Sequence, residues 1–245
     1  MTNTLVVQSS PPRWRDTWVA RCLDSVCRWA RSSGYDYRLY GDELFDVLPP
    51  AYREKVAARG PILADLARLI VMEQALERYE RVVWLDADVL IWWPEQLDLC
   101  GLDDARFGRE CWVTSDARGR FKVHRSLHNA FCAFARGSEV LPFLRRCTQS
   151  VVLTADADHI APQMVGPKLI TALHSLAGFE VDVRVGALSV EVQSALVGGE
   201  GAALDRFLAE TPQPLAAANL CASLATDFDR APVVDVLLDG GLRVD

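Results

Sequence analysis

Apolar residues recur along the chain in short runs of strand length, separated by longer stretches in which they repeat at helical spacing. Helical stretches follow strand-like runs several times in succession, and Gly, Pro and polar clusters separate them. This alternation predicts an α/β fold with a mostly parallel central sheet flanked by helices. The predicted strands are 5–7, 35–39, 82–92, 111–115, 181–185 and 189–192, and the predicted helices are 14–29, 61–79, 141–152, 167–177 and 202–210.

The most apolar run, RVVWLDADVLIWWP at 81–94, is interrupted by Asp86 and Asp88. In an extended strand these two side chains project on the same side, because alternate residues face alternate sides. A bare carboxylate among apolar side chains is costly, and a divalent cation held by both would offset the charge. The alternative is a pair of strand-end aspartates bonded to backbone amides or to arginine.

The predicted helix 61–79 is apolar nearly all round, and Asp65 and Arg68 lie three residues apart at the border of its apolar stripe. Such a pair is either a surface ion pair or part of a site. The segment DARGRFKVHRS at 116–126 is polar and rich in Gly and Arg, which predicts a flexible surface loop.

The chain has 245 residues, half of them hydrophobic, which is enough for one large domain at 1–245. A net charge of -7 argues against a nucleic-acid partner. No signal peptide or transmembrane segment is recognisable, so we expect a cytoplasmic chain, for which peripheral membrane contact stays possible. The seven cysteines are scattered without a CxxC pair, which predicts free thiols.

Three classes of enzyme place Asp-x-Asp at the end of an apolar strand. A dehalogenase-type phosphatase would use Asp86 as nucleophile and Asp88 as acid/base, but it carries the motif on its first strand. A sugar nucleotidyltransferase needs an early glycine-rich phosphate loop, and the first 33 residues contain no glycine. A glycosyltransferase needs a divalent ion for the donor diphosphate, which an Asp-x-Asp claw after several βα units would supply.

The segment ILADLARLIVMEQALERYERVVWLDADVLIW at 62–92 resembles the central signature of retaining GT-A glycosyltransferases of families 32 and 8. QSSPPRW at 8–14 and YDYRLYGDE at 35–43 resemble the family 32 opening, and VGPKLIT at 165–171 resembles a later block of that family. The resemblance implies a GT-A fold, a UDP- or GDP-sugar donor, a glycan, lipid-linked or other hydroxyl acceptor, Mn²⁺ or Mg²⁺, and retention of anomeric configuration.

The resemblance also implies roles for individual residues. Asp65 and Arg68 match the family positions that hold the hydroxyls of the donor sugar. Asp86 and Asp88 match the metal and ribose positions, and Asn129 lies where the family often has an asparagine near the donor sugar.

Near its end, family 32 has a His-x-x-x-Ser-Trp block whose histidine completes the metal site. Here the block reads NLCASL, so Asn219 replaces the histidine, Ser223 keeps the serine on the donor side, and Leu224 replaces the tryptophan. An asparagine can still offer an oxygen to Mn²⁺ or Mg²⁺. Asn219 could equally be a helix cap or turn residue.

Two further residues are candidates for catalysis. Asp158 belongs to a second Asp-x-Asp pair, with Asp156, in a loop that could line the acceptor cleft. Gln163 is a candidate for the polar residue that retaining enzymes keep on one face of the sugar. In a retaining reaction the leaving diphosphate can itself take the acceptor proton, whereas inversion would need a carboxylate base, for which Asp158 and Asp116 are candidates.

The opposing hypothesis is a protein of the same fold that binds the nucleotide sugar and no longer turns it over. The observation behind it is that Asn219 and Leu224 of the NLCASL block replace the histidine and the tryptophan of the family.

Overall fold

The computed structural model describes residues 3–14, 17–57, 59–156, 160–161, 163–211, 213–224 and 227–242. Its strands are β1 (Thr4–Ser9), β2 (Asp36–Tyr40), β3 (Arg81–Leu85), β4 (Val89–Ile91), β5 (Ala105–Ser115), β6 (Phe121–Ala135), β7 (Glu180–Asp182), β8 (Val185–Ala187) and β9 (Ala217–Asn219). Its α-helices are α1 (Val19–Ser32), α2 (Pro50–Val56), α3 (Gly60–Ala75), α4 (Val140–Thr154), α5 (Pro167–Ala177), α6 (Val190–Gly198), α7 (Ala202–Glu210) and α8 (Ala231–Gly240).

The central sheet has six strands in the order β2-β1-β3-β6-β5-β7, and β4, β9 and β8 form a second sheet of three. Strand β1 is parallel to both β2 and β3, and β7 is parallel to β5. The expectation of a mostly parallel sheet needs one correction, because β6 runs antiparallel to both β3 and β5. Its direction follows from the short turn between β5 and β6, which permits only antiparallel pairing.

Strand β3 is buried on both faces, as its unbroken apolar sequence predicts. Val82 and Trp84 lie in the core beneath α3 and α4, whereas Val83 and Leu85 lie in the core that contains the apolar face of α1. Helices therefore cover both faces of the sheet. Directly beyond the carboxyl end of β3, the side chain of Asp86 is no longer enclosed by these two cores.

The predicted strand 82–92 is in fact two strands that belong to different sheets. β3 ends at Leu85, the N–H of Asp86 donates to the carbonyl of Ala130, and the N–H of Val89 returns to the carbonyl of Asp86 in a turn. After this turn β4 pairs with β9. The prediction of one continuous strand was wrong because the chain turns between Asp86 and Val89, after which β4 joins the second sheet.

The predicted loop 116–126 is a tight turn followed by a long strand. Oδ1 of Asp116 accepts the N–H groups of Arg118 and Arg120, and Gly119 adopts a φ of +73°. From this turn β5 and β6 pair without interruption between Gly108 opposite His128 and Ser115 opposite Phe121. We call this paired segment, residues 108–115 with 121–128, the hairpin arm.

The register of β5 on β6 shifts at the base of the hairpin arm. Phe107 pairs with Cys132, whereas the next residue, Gly108, pairs with His128. The three β6 residues 129–131 therefore have no partner in β5 and bulge from the pairing. At this bulge Phe131 pairs instead with Leu85, so the end of β3 and the bulge of β6 lie side by side.

Several other predictions can be compared with the elements. The helices 141–152, 167–177 and 202–210 are confirmed as α4, α5 and α7, whereas helix 14–29 begins only at Val19 and helix 61–79 ends at Ala75. The strand 189–192 was wrong, because Ser189 caps α6 by accepting the N–H of Val192. All seven cysteines are free thiols, as predicted. None of the helices in the described part of the chain combines the length and apolar character of a membrane span.

Candidate active site

A cleft of about 1120 Å³ opens at the carboxyl end of β3. Its floor is the turn between β3 and β4, and its walls come from α3, α5, the hairpin arm and the loop that follows β9. Every one of these elements brings polar side chains to an otherwise apolar cavity, which is the usual composition of a small-molecule site.

Arg68 is the centre of a buried polar cluster on this floor. Its Nη1 lies 3.1 Å from Oδ1 of Asp86, and its Nη2 lies 3.4 Å from Oδ1 of Asp65. Nη1 also donates to the carbonyl of Asn129 at 2.6 Å, and Nδ2 of Asn129 donates to Oδ1 of Asp65 at 2.7 Å. Because Asp65 and Arg68 are each only 6% exposed, they are not the surface ion pair that the sequence also allowed.

Burial sets the charge state of Asp65. It raises the pKa of this carboxyl to about 6, while the charge of Arg68 and the hydrogen bond from Asn129 act in the opposite direction. Packing holds the carboxylate in place as well, since a Cβ added to Gly166 would lie 2.8 Å from its Oδ2. The carboxylate of Asp65, on α3, is thus held against Gly166, the residue that precedes α5.

Asp86 contacts Arg68 on one side and the indole of Trp84 on the other. Nε1 of Trp84 donates to Oδ1 of Asp86 at 2.7 Å, and the guanidinium of Arg68 lies over the Trp84 ring at 5.2 Å. The Asp86 side chain keeps 28% of its surface exposed, so it is the member of this cluster that is most accessible from the cleft.

Asp88 lies on the other side of the turn and faces the end of β9. Its Oδ1 accepts from Nδ2 of Asn219 at 3.1 Å, and its Oδ2 accepts from the N–H of Ala222 at 2.7 Å. Burial, and then the charge of Asp86, raises the pKa of Asp88 to about 6. Asp88 is therefore held by a backbone amide and Asp86 by an arginine, the arrangement that the sequence left open as the alternative to a metal claw.

The loop after β9 is itself fixed by Arg230. Nε of Arg230 donates to the carbonyl of Leu220 at 2.7 Å, and its Nη2 donates to the carbonyl of Cys221 at 3.1 Å. Cys221 has a φ of +54°, and its N–H donates to Oδ1 of Asn219 at 2.5 Å. Asn219 therefore makes the turn that its residue type allowed, with its oxygen directed to the backbone and its amino group directed to Asp88.

The side-chain oxygens around the turn between β3 and β4 are of the kind that bind Mn²⁺ or Mg²⁺. Asp86 and Asp88 both line the cleft and offer the carboxylate oxygens that hard cations prefer. Within the described ranges no cluster of three or more His, Cys, Asp or Glu side chains could hold a metal. The two aspartates thus fit a cation that takes its remaining ligands from substrate and water, and Asn219 as a ligand, which would need its amide reversed, stays a prediction.

The remaining predicted site residues have different positions. Ser223 and Gln163 line the cleft, while Asp158 lies outside the described residues. Asp116 is at the tip of the hairpin arm, where its carboxylate is bound by the backbone and side chain of Arg120. That carboxylate shapes the turn and does not line the cleft.

The hairpin arm supplies cleft residues that the sequence did not indicate. They alternate along the two strands and face the same cavity as Asp86 and Asp88, and they are Glu110, Trp112, His124, Ser126 and His128. Two of them, His124 and Ser126, fell in the segment interpreted as a surface loop. The signal that could have found them is the Asp-x-x-Gly turn at 116–119, which joins two stretches able to alternate as strands.

Two cations also line the cleft. Neither Arg13, which precedes α1, nor Lys168, in the first turn of α5, has a carboxylate partner within the part of the chain that the structure describes. The acidic cluster and these two cations give the cleft groups for both a metal-bound and an anionic ligand.

No protein-family model matches the sequence, and comparison with curated proteins finds no match. Among solved structures, the chain is similar to WbbM, described as a bifunctional glycosyltransferase, with a TM-score of 0.50 and 11% identity. That match covers 98% of this chain and 50% of WbbM, so this chain spans half the length of that protein. At this identity the likeness establishes the fold, and the expected GT-A fold with a central sheet flanked by helices is confirmed.

Two further structures are similar over their whole length. A glycosyltransferase involved in the glycosylation of the major capsid of PBCV-1 has a TM-score of 0.49 and 12% identity, with 95% of this chain and 98% of that chain covered. Mouse xyloside xylosyltransferase 1 has a TM-score of 0.45 and 12% identity, with 92% of this chain and 99% of that chain covered.

Proposed function

We propose that this chain transfers a sugar from a nucleotide-diphosphate donor to a hydroxyl group of an acceptor. The observation that carries the proposal is the buried cluster of Asp65, Arg68, Asp86 and Asn129 at the floor of the cleft. Burying Asp65 and Arg68 together with part of Asp86 is costly, and a well-packed apolar cluster would stabilise the fold at least as well. A cluster of this kind in a cleft is therefore better explained by ligand binding.

The donor sugar would bind over Asn129, which lines the cleft and is held in place by the buried Asp65. Their hydrogen bond and the contact of Gly166 fix both side chains before a ligand arrives, so little ordering is left to do on binding. The side-chain amide of Asn129 suits the hydroxyl groups of a hexose. Arg68 keeps Asp65 oriented from below and leaves Asp86 at the cleft surface.

Asp86 and Asp88 would hold Mn²⁺ or Mg²⁺, and the ion would neutralise the diphosphate as it leaves. Arg13 and Lys168 provide positive charge in the same cleft for the phosphates. In the transfer, the bond between the anomeric carbon and the diphosphate oxygen breaks with its electron pair on the diphosphate. The acceptor oxygen forms the new bond, and in a retaining reaction its proton passes to the departing diphosphate, so that no carboxylate base is needed.

Incubation with Mn²⁺ and a panel of UDP-, GDP- and TDP-sugars tests the proposal. Slow hydrolysis of one donor is the expected result, and Asp86→Asn and Asp88→Asn should each reduce it about 100-fold, an effect typical of losing one transition-state contact. Asp42→Asn, an exposed aspartate outside the cleft, is the matched control. Failure of the wild-type chain to hydrolyse or transfer from any donor would contradict the proposed activity.

A second function, nucleotide-sugar binding without turnover, is favoured by one observation. The amino group of Asn219 donates to Oδ1 of Asp88 at 3.1 Å, at the position where the family that the sequence resembles has a metal-binding histidine. Tight binding of a nucleotide in the same panel, with neither hydrolysis nor transfer, would establish this alternative. A dehalogenase-type phosphatase is disfavoured, since the Asp-x-Asp follows the third strand and Oδ1 of Asp86 is already bound by Arg68 and Trp84.

A further inference from the structure

The face of the hairpin arm that lines the cleft is built from three cross-strand pairs. Gly108 is opposite His128, Glu110 is opposite Ser126, and Trp112 is opposite His124. All of these residues except the glycine contribute side chains to the cavity that contains Asp86 and Asp88. The arm thus presents one continuous surface of alternating residues to the cleft, as a strand pair must.

The side chains of this face have the chemistry of a sugar-binding surface. Trp112 is half-buried at the cleft wall and offers the flat apolar ring on which the C–H face of a pyranose stacks. Next to it Glu110 accepts a hydrogen bond from the hydroxyl of Ser126, which fixes the carboxylate in position. A fixed carboxylate beside an aromatic ring can bind neighbouring hydroxyl groups while the ring binds the apolar face.

His128 adds an independent observation at the inner end of the arm. It is only 3% exposed, its ring is packed so closely on Gly108 that an added Cβ would lie 2.3 Å away, and its Nε2 is 3.2 Å from the carbonyl of Val185. Its Nδ1 is buried and has no hydrogen-bond partner within the described residues. His128 is therefore a rigidly packed part of the inner cleft wall.

Charge decides between the possible acceptors. The arm presents the carboxylate of Glu110 to the cleft and no lysine or arginine, whereas the cleft cations Arg13 and Lys168 lie on other elements. A phosphate-bearing lipid acceptor would meet a like charge here, and a neutral polyhydroxylated acceptor would not.

We infer that Glu110, Trp112, Ser126 and His128 form the acceptor subsite of this cleft, and that the acceptor unit bound there is a neutral sugar. That the bound sugar is an acceptor rests on the proposed function. That this face binds a sugar rests on the geometry of the cleft. Trp112 carries the stacking contact, Glu110 carries the contacts to hydroxyl groups, and His128 forms the fixed inner end of the subsite.

Transfer kinetics test the inference. With the donor found in the panel, methyl glycosides of glucose, galactose and mannose are compared with farnesyl phosphate as acceptors. Trp112→Ala and Glu110→Gln should raise the KM for the glycoside about tenfold while the KM for the donor changes far less, since a stacking contact and a hydrogen bond have about this value. Phe143→Ala removes an exposed aromatic ring from α4, outside the cleft, and should change neither KM.

Three outcomes would overturn the subsite. They are transfer to farnesyl phosphate alone, an acceptor KM that is unchanged in both Trp112→Ala and Glu110→Gln, and an equal increase in the KM for the acceptor and the KM for the donor. Circular dichroism and the retention of nucleotide binding exclude misfolding, and Trp112→Phe, which keeps a ring, should recover much of the affinity.

A binding measurement separates failure of the subsite from failure of the proposed function. Saturation-transfer NMR with the same methyl glycosides, in the presence of UDP and Mn²⁺, needs no turnover. Signals that appear with the wild-type chain and are lost in Trp112→Ala would support the subsite even if no donor is consumed. Absence of signals with the wild-type chain would overturn it even if donor hydrolysis is observed.

Discussion

Nη1 of Arg68 lies 3.1 Å from Oδ1 of Asp86, and this ion pair joins the middle of α3 to the turn that follows β3. The same guanidinium contacts Asp65 and the carbonyl of Asn129, so one side chain holds three parts of the chain together. Substitutions in this cluster and at Asn219, the partner of Asp88, test these contacts.

Replacement of Arg68 by methionine should destabilise the chain by about 3–5 kcal/mol, because the buried carboxylate of Asp65 and the partly buried carboxylate of Asp86 would lose their counter-ion. Urea unfolding at neutral pH measures the change. Arg28→Met, which removes an exposed pair with Asp24 on α1, should cost below about 1 kcal/mol. Equal effects of the two substitutions would contradict the buried cluster.

Asp65 should make the stability depend on pH in an unusual direction. Its folded pKa of about 6 exceeds the ordinary value of 3.8, so the native state binds more protons than the unfolded state between these values. The free energy of unfolding should therefore fall as pH rises through this interval, by up to roughly 3 kcal/mol from this residue, and remain lower above it.

The comparison that isolates Asp65 is the wild-type chain against Asp65→Asn, measured by urea unfolding at several pH values. Asp88 shifts in the same direction and is present in both proteins, so it cancels to first order. A difference curve without slope between about pH 4 and pH 6 would mean that Asp65 titrates as an exposed carboxyl.

Gly166→Ala should damage the site without removing a polar group. The new Cβ would lie 2.8 Å from Oδ2 of Asp65 and 3.3 Å from Nδ2 of Asn129. We expect a loss of about 1–3 kcal/mol in stability from the overpacking, and a loss of about tenfold in donor affinity as the two side chains move apart. Calorimetric titration of the nucleotide sugar measures the second effect.

Gly198→Ala is the control for a glycine substitution of the same size. Gly198 ends α6, has open space around it, and should be neutral or stabilising by less than about 1 kcal/mol. A donor affinity that Gly166→Ala leaves intact would show that Asn129, held by Asp65, is not a sugar contact.

Asn219→Asp should make the chain depend on a divalent cation. Without metal, the substitution replaces Nδ2 of Asn219, which donates to Oδ1 of Asp88 at 3.1 Å, by a second carboxylate oxygen. Two like charges in a buried position should then lower the free energy of unfolding by about 2–4 kcal/mol. Addition of Mn²⁺ should then raise Tm more than it does for the wild-type chain, because the cation offsets both charges. Asn219→Ala loses the same hydrogen bond without adding an oxygen, and its response to Mn²⁺ should not exceed that of the wild type.

Local sequence patterns were enough to single out the aspartates and the arginine that the structure places around the turn after β3. Asp65 and Arg68 are spaced for contact on any helix, and the resemblance to known transferases gave them a role before their burial was known. Asp86 and Asp88 were expected to share a face of one strand. They instead flank a turn, with Asp86 against α3 and Asp88 against β9, because the strand ends at Leu85.

The partners of these aspartates could not be predicted, because they depend on pairings between distant segments. Asn129 reaches Asp65 across 64 positions of sequence, and the N–H of Ala222 reaches Asp88 across 134. The hairpin arm was missed for a local reason. Arginine, lysine and glycine at 118–122 resemble a solvated loop, although charged residues are equally common on strands that project into solvent.

The three-residue bulge at 129–131 gives β6 two segments that can change independently. Its inner segment is fixed by pairing with β3, and the bulge directs Asn129 to Asp65 and the carbonyl of Ala130 to Asp86. The outer segment keeps register only with β5. An arm of different length or sequence, grafted outward from Gly108, would therefore remodel the distal wall of the cleft and leave the cluster around Arg68 in place, which makes this hairpin the segment to exchange when the proposed acceptor subsite is to be altered.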